Sequence, residues 1–305
     1  MPSKIREFRI GHIRGAGITN LVLDVVREMG FDEAEGIRLK AIQGSMEELD
    51  QGLASGSMDM IRRGPDSDMV ASVAQGGSIK VVATVANKPV GDLVVCPQCH
   101  SIAELRGKQL AVIHPRLGTT VFLRHLLWQH GLGNEDCVLV TIGETPLRYE
   151  ALKSGRVSGT ILLPPQSWQA KKEGFRVLAS LPECYPLAIT TSFQVNQLVA
   201  KQKRRDVVSF LRALVRAHRW VYAPENMQSL LAVLEGKGMT PEQAQRDYTF
   251  NIENKGLARD CVVDLSAIEQ MVDLLTDIGE LKRPAPHADY FVDSSYLEEA
   301  LAGLD

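Results

Sequence analysis

Glu104-Leu-Arg-Gly-Lys-Gln-Leu-Ala-Val-Ile-His114-Pro-Arg-Leu-Gly118-Thr119-Thr120-Val-Phe-Leu-Arg124 holds a short apolar strand, a polar loop and the start of an amphipathic helix. Leu110–Ile113 favour strand and are bounded by Gly107 and Pro115. Gly118, Thr119 and Thr120 stand where a helix begins, so unpaired backbone N–H groups and two hydroxyls face whatever lies beyond the strand's end. Arg116 and His114 add positive or proton-donating character at the same edge. The unit predicts a binding site for a small anionic molecule.

The same strand–loop–helix grammar runs along most of the chain. Phe8–Ile13 reads as a strand, followed by the Gly15-Ala-Gly17 turn and a helix over about Thr19–Met29. Strands over Ile37–Ile42, Met58–Ile61 and Ile79–Ala86 alternate with a helix opened by the capping box Ser45-Met-Glu-Glu48 and another over Asp66–Gln75. Asp92–Cys96 begins a second block, which continues through strands at Val138–Ile142, Gly159–Leu163 and Phe175–Leu181, with helices at Pro146–Ser154 and Trp168–Glu173. After about Ser192 the pattern turns helical, at Asp206–Ala223, Met227–Lys237, Pro241–Asn251 and Leu265–Ile278. Two αβ blocks and a helical tail predict an α/β protein: two Rossmann-like lobes with mixed, mostly parallel sheets, hinge-linked around a central cleft, plus C-terminal helices. On such sheets ligands bind beyond the carboxyl ends of strands. Arg14, Arg62, Arg63 and Arg116 all fall at such ends, where planar guanidinium forks suit a carboxylate, sulfonate or phosphate.

Composition narrows the function classes. The chain has 305 residues, 45% hydrophobic and 23% charged, with a net charge of −3 and no long basic run, which argues against nucleic acid as a partner. No apolar stretch approaches the roughly 20 residues of a membrane helix, so no membrane insertion is expected. Met1–Phe8 is too short and polar for a signal peptide. The expectation is a cytoplasmic protein if Met1 is the native start, and a periplasmic one if a leader was removed. Five cysteines, an odd number, lean slightly towards a reducing compartment.

Other motifs compete for attention. Gly15-Ala-Gly17 invites a dinucleotide reading, but Asn20 stands where the third glycine belongs and the second strand ends without an acid for a ribose. Cys96-Pro-Gln-Cys99-His100 spells both a haem c attachment pattern and a redox CxxC, against the alternative of a surface turn with two thiols. Trp168 follows the loop Pro164–Gln166 and is placed either to stack on an aromatic ligand or to pack between lobes; Trp128 and Trp220 read as core, and His125 and His130 as helix-surface groups. No metal-ligand set stands out, and no cofactor is expected.

Several segments together resemble a known family. Ser101-Ile-Ala-Glu-Leu-Arg-Gly-Lys-Gln-Leu-Ala-Val, Ala34-Glu-Gly-Ile-Arg-Leu, Leu53-Ala-Ser-Gly-Ser-Met-Asp, Glu150-Ala-Leu-Lys-Ser-Gly-Arg-Val-Ser-Gly and Tyr290-Phe-Val-Asp-Ser-Ser-Tyr-Leu occur in the order found in substrate-binding proteins of ABC transporters. The group is the sulfonate, nitrate and taurine binders with the NMT1/THI5-like proteins, of the periplasmic binding protein type II fold. The resemblance implies lobe I at 1–92 and 191–305, lobe II at 93–190, a small-molecule ligand, ABC transporter membrane subunits as partners and a monomer or weak dimer. By position it implies ligand contacts from Arg14, Gly15, Gly17, Thr19, Asn20, Arg62, Arg63, His114, Arg116, Gly118, Thr119, Thr120, Glu144, Pro164 and Gln166. Enzymes share this resemblance. A desulfinase's cysteine nucleophile is missing from His12-Ile13-Arg14-Gly15, and a pyrimidine synthase's CCCFC signature is reduced to Cys96-Pro-Gln-Cys99. The expectation is therefore a binding protein without catalytic residues. The alternative is a cytoplasmic desulfinase-, decarboxylase- or pyrimidine-synthase-like enzyme using His12, His114 and Glu144.

Overall fold

The computed structural model describes residues 5–13 and 18–304, with the backbone alone for 18–20 and 66–68. The chain begins β1 (Arg6–His12), α1 (Ile18–Glu28), α2 (Phe31–Ala34), β2 (Ile37–Gln43), α3 (Met46–Ser55), β3 (Met60–Arg63), α4 (Asp66–Ala74) and β4 (Ile79–Ala86). It continues β5 (Asp92–Val95), β6 (Gln109–Val112), α5 (Gly118–Gln129), β7 (Val138–Thr141), α6 (Thr145–Lys153), β8 (Gly159–Leu162), α7 (Gln166–Lys172), β9 (Arg176–Ser180) and α8 (Leu181–Cys184). The remainder is β10 (Thr191–Asn196), α9 (Gln197–Gln202), α10 (Arg204–Tyr222), α11 (Met227–Gly236), α12 (Pro241–Tyr248), α13 (Leu265–Asp277) and α14 (Ser295–Ala302).

Two five-stranded sheets follow one plan. The first has the order β2-β1-β3-β10-β4, and β10 alone runs against the other four. In the second, β7-β6-β8-β5-β9, the reversed strand is β5. The reversals follow from the chain path. Residues 87–91 lead from β4 into β5, and 185–190 lead back into β10. A strand reached by crossing the gap must start where the like-directed strands end. The two crossings are tied together, with Ala188 N–H donating to Asn87 O at 3.1 Å and Thr190 N–H to Ala86 O at 2.9 Å. Gly91 sits in the first crossing at φ +118°, where a Cβ would lie 2.8 Å from the Leu162 carbonyl oxygen.

Each sheet buries its own apolar layer. Beside the first, Phe8 stacks on Phe210 of α10 at 5.3 Å, and Phe193 of β10 meets the same ring edge-on at 5.1 Å. α10 presents Phe210, Leu211, Leu214 and Val221 to this core at the helical spacing that its sequence displays. Beside the second sheet, Leu93, Leu110 and Val112 pack with Val121, Leu123 and Leu126 of α5. Ile268, Met271 and Leu275 of α13 join this second core, so the helical tail does not pack only against the first sheet.

Four sequence expectations change here. The pattern after about Ser192 reads as helical, yet β10 runs on to Asn196 inside the first sheet; its buried Ser192 and Gln194 disguise it, because they bond inward to the Arg63 carbonyl at 3.1 and 3.3 Å. The third strand begins two residues later than Met58, since Asp59 turns to accept both the backbone N–H and the guanidinium of Arg9. His125 is buried, with Nδ1 2.9 Å from the Tyr185 hydroxyl, whereas Trp128 is 45% exposed and stacks on the His125 ring. Among the described residues no helix is long and apolar enough to cross a membrane.

Candidate functional site

A cleft of about 820 Å³ opens between the sheets. The first sheet contributes Arg62, Arg63 and Gly64 at the carboxyl end of β3, and Ala86 with Lys88 after β4. From the second come Ile113 after β6, Gly118, Thr119 and Phe122 of α5, Leu163 to Pro165 after β8, and Trp168 of α7. Strand carboxyl ends therefore dominate the rim, and the two reversed strands present their starts there, as Asp92 and Thr191. A third wall comes from the helical tail: Leu234, Met239, Gln243, Arg246, Phe250 and Asn251.

The anion-attracting groups lie on both sides. α5 starts at Gly118 after extended Leu117, with no side chain capping its first N–H groups, so the positive end of the helix opens onto the cleft. Across from it Arg62 is buried in β3. Desolvation brings its guanidinium down to about 10, partly offset by the attraction of Asp24, and it stays charged at neutral pH. Most of the remaining lining is carbon, from Leu21, Phe122, Leu163, Pro164, Trp168, Leu181, Met239 and Phe250.

Two contacts close the flanks of the cleft. On one, Asp50 of α3 takes Arg63 at 2.5 Å and, across the gap, Arg116 at 2.9 Å. Next to it Glu47 faces His114 Nε2 at 3.5 Å and Arg116 at 3.8 Å. The Arg116 N–H donates to His114 Nδ1 at 3.2 Å, which leaves the proton of the neutral ring on Nε2, towards Glu47. On the other flank the Arg246 guanidinium of α12 lies 4.5 Å over the Trp168 ring and is held by Glu242 at 2.6 Å.

The residues named from the sequence distribute as follows. Arg62, Arg63, Gly118, Thr119 and Pro164 line the cleft. His114 and Arg116 belong to the flank contact with α3. Thr120 is buried and its hydroxyl donates to the His114 carbonyl at 2.8 Å, holding the loop. Gln166 starts α7, beside the lining but not in it. Glu144 is the exposed residue before α6, outside the cleft lining. His12 ends β1, also outside the lining, with Nδ1 3.1 Å from the Ile13 carbonyl; burial lowers its pKa, the backbone bond opposes that, and Arg62 lowers it further. Arg14, Gly15 and Gly17 lie outside the described residues, and Thr19 and Asn20 are described by backbone alone. Missed from sequence were Lys88, Asp92, Thr191 and the whole wall from α11 and α12. The crossing residues carried a signal in Gly91 at a block boundary. The tail carried none, because helix periodicity says which face is buried but not what lies beyond it.

Two sheets of identical plan, joined by paired crossings and facing one cleft, define a two-lobed α/β protein of the periplasmic binding protein fold. The chain belongs to the NMT1/THI5-like family, whose model matches residues 22–227. A Brachyspira hyodysenteriae protein named as an ABC transporter periplasmic binding protein is 28% identical over 141 residues, covering 45% of this chain and 40% of that one. Among solved structures, one from Bordetella bronchiseptica superposes with a TM-score of 0.80 at 17% identity, covering 99% of this chain and 98% of that chain. A periplasmic sulfonate-binding protein from Methylobacillus flagellatus superposes with a TM-score of 0.74 at 18% identity, over 99% and 96% of the two chains.

Proposed function

We propose that the protein is a solute-binding protein of the ABC-importer type, which closes its lobes on an organic anion with a substantial apolar body and presents it to transporter membrane subunits. The carrying observation is the uncapped α5 start and the buried Arg62 meeting in one cleft from opposite lobes. A ligand touching both favours the closed arrangement by its differential affinity for it. Size and lining support the apolar body: a cleft of about 820 Å³ walled by Phe122, Trp168 and Phe250 is in the range of organic ligands, and an inorganic anion would leave most of that wall wet.

The test is a thermal-shift panel of aryl and alkyl sulfonates and carboxylates against nitrate and sulfate. At a hundredfold excess over Kd a true ligand adds about 2.7 kcal/mol of stability. That is roughly 5 °C for a chain of this size. Arg62→Gln weakens an anion that it contacts by about tenfold to a hundredfold. A melting temperature unmoved by every organic anion, or moved equally by sulfate, would overturn the reading. Retention of a permease on the ligand-loaded protein, and not on the empty one, tests the delivery step.

A further inference from the structure

The Cys96-Pro-Gln-Cys99 segment takes no part in the cleft. β5 begins at the cleft with Asp92 and ends at the side of the sheet away from the cleft, where the Cys96 N–H donates to the Ser158 carbonyl at 2.9 Å. There the Cys99 N–H donates to the Cys96 carbonyl at 3.0 Å, closing a tight turn. Such a turn holds its outer Cα atoms within about 7 Å, the span that a disulfide requires. Their sulfurs are 3.2 Å apart and both are free thiols. The two differ in access: Cys96 is half-buried and Cys99 is buried, packed in the second core with Ile102 and Leu105. A haem thioether would have to reach that buried sulfur, and among the described residues no group of three or more His, Cys, Asp or Glu is arranged to hold a metal ion.

We infer that Cys96 and Cys99 form a reversible dithiol–disulfide site, oxidised by small-molecule disulfides, in which Cys96 is the point of entry and Cys99 resolves. The Cys96 thiolate attacks one sulfur of the incoming disulfide and expels one thiolate, leaving a mixed disulfide on Cys96. Cys99 then gives its proton to water, and its sulfur attacks Cys96 Sγ, which expels the second thiolate. Two protein thiols are oxidised and one disulfide is reduced to two thiols, so electrons and protons balance. The order of events is set by burial, because only Cys96 is reachable from solvent. In the reduced pair, desolvation and the neighbouring Cys96 push the Cys99 thiol up to about 11, so Cys99 stays protonated and leaves the entry step to Cys96.

Reduced protein is incubated with oxidised glutathione, quenched with an alkylating reagent and mapped by mass spectrometry. The peptide carrying both residues is expected to lose both alkylation sites together and to be lighter by two hydrogen atoms. Exposed Cys184 reports that the oxidant was active, by taking up glutathione. In Cys99→Ser the reaction stops at a glutathione adduct on Cys96; in Cys96→Ser, Cys99 remains a thiol. Wild-type protein that keeps both thiols, or that accumulates the Cys96 adduct without resolving it, while Cys184 is modified, would overturn the inference.

Discussion

Asp50 carries more than its share for a half-exposed carboxylate. It faces Arg63, whose side chain is 2% exposed, and Arg116, whose side chain is 44% exposed. The two arginines therefore answer differently to mutation. Asp50→Asn removes the charge beside a buried guanidinium and is expected to cost about 2 kcal/mol in urea unfolding. Arg116→Ala, at a solvated site, is expected to cost less than about 1 kcal/mol. His218 supplies a pH-dependent prediction at the same scale. It is fully buried, Nδ1 donates to the Ala258 carbonyl at 2.7 Å, and Nε2 has no hydrogen-bond partner among the described residues. Burial lowers its pKa to about 4, against 6.5 in an exposed histidine. Between those values the unfolded chain binds the proton and the folded one does not, so stability falls as the pH drops from about 6.5 to about 4, by up to roughly 3 kcal/mol. His218→Gln should flatten that part of the pH–stability curve in chemical denaturation, and an unchanged slope would exclude His218 as its source. None of these partnerships was legible in the sequence. Asp50 is 66 residues from Arg116, and nothing in a single chain says which acid meets which base.

Elements were more legible than their contacts, and α3 shows why. Ser45 accepts from the Glu48 N–H at 3.2 Å while Glu48 accepts from the Ser45 N–H at 2.7 Å, the reciprocal box that the spacing predicts. Local chemistry of this kind is complete within four residues. Ser45→Ala is expected to lower stability by about 1 kcal/mol, measured by thermal or urea unfolding. The box also fixes the helix that presents Glu47 and Asp50 to the opposite lobe, so the same variant should loosen the flank contact. β4 to β8 were readable because Val, Ile and Leu recur through them, whereas β1 and β2 were readable from alternation, with Phe8 and Ile10, and Ile37 and Leu39, turned inward between polar neighbours. β10 escaped notice because its inward polar residues, Ser192 and Gln194, are satisfied by a neighbouring strand's carbonyls rather than by their own segment. The site divides in the same way. Gly118 and Thr119 could be read from a strand–loop–helix pattern, whereas Arg246 and Phe250 reach the cleft only because the tail folds back over it.

At the scale of the whole molecule, a buried apolar seam and three further features set how the lobes sit. In the seam, Met69 of α4 and Val81 of β4 lie in the same core as Leu110, Val121 and Phe122 of the second block, along with Met271 of α13. Paired crossings join them at the back, the α3 acids meet His114 and Arg116 on one flank, and Arg246 covers Trp168 on the other. The crossings are backbone hydrogen bonds and survive a change of salt. Both flank contacts depend on exposed cations, each worth on the order of 1 kcal/mol or less. The apolar seam keeps the lobes joined, and contacts of this size bias only how far the cleft closes, so a bound ligand touching both walls can decide the balance. A chain of this length packed compactly has a radius of gyration of about 19 Å. The double variant Arg116→Ala, Arg246→Ala removes the arginine from each flank, leaving His114 facing Glu47, without touching the crossings or the cores, and its ligand-free radius in small-angle X-ray scattering is expected to rise above the wild-type value. Salt near 1 M, where charges are screened beyond about 3 Å, should move the wild-type radius towards that of the double variant. Saturating ligand should return both to the compact value, since the contacts proposed with Arg62 and the α5 start involve neither substituted arginine. Equal radii for the two proteins at low salt without ligand would mean that the crossings and the apolar seam set the spacing of the lobes and that the flank contacts follow closure instead of favouring it.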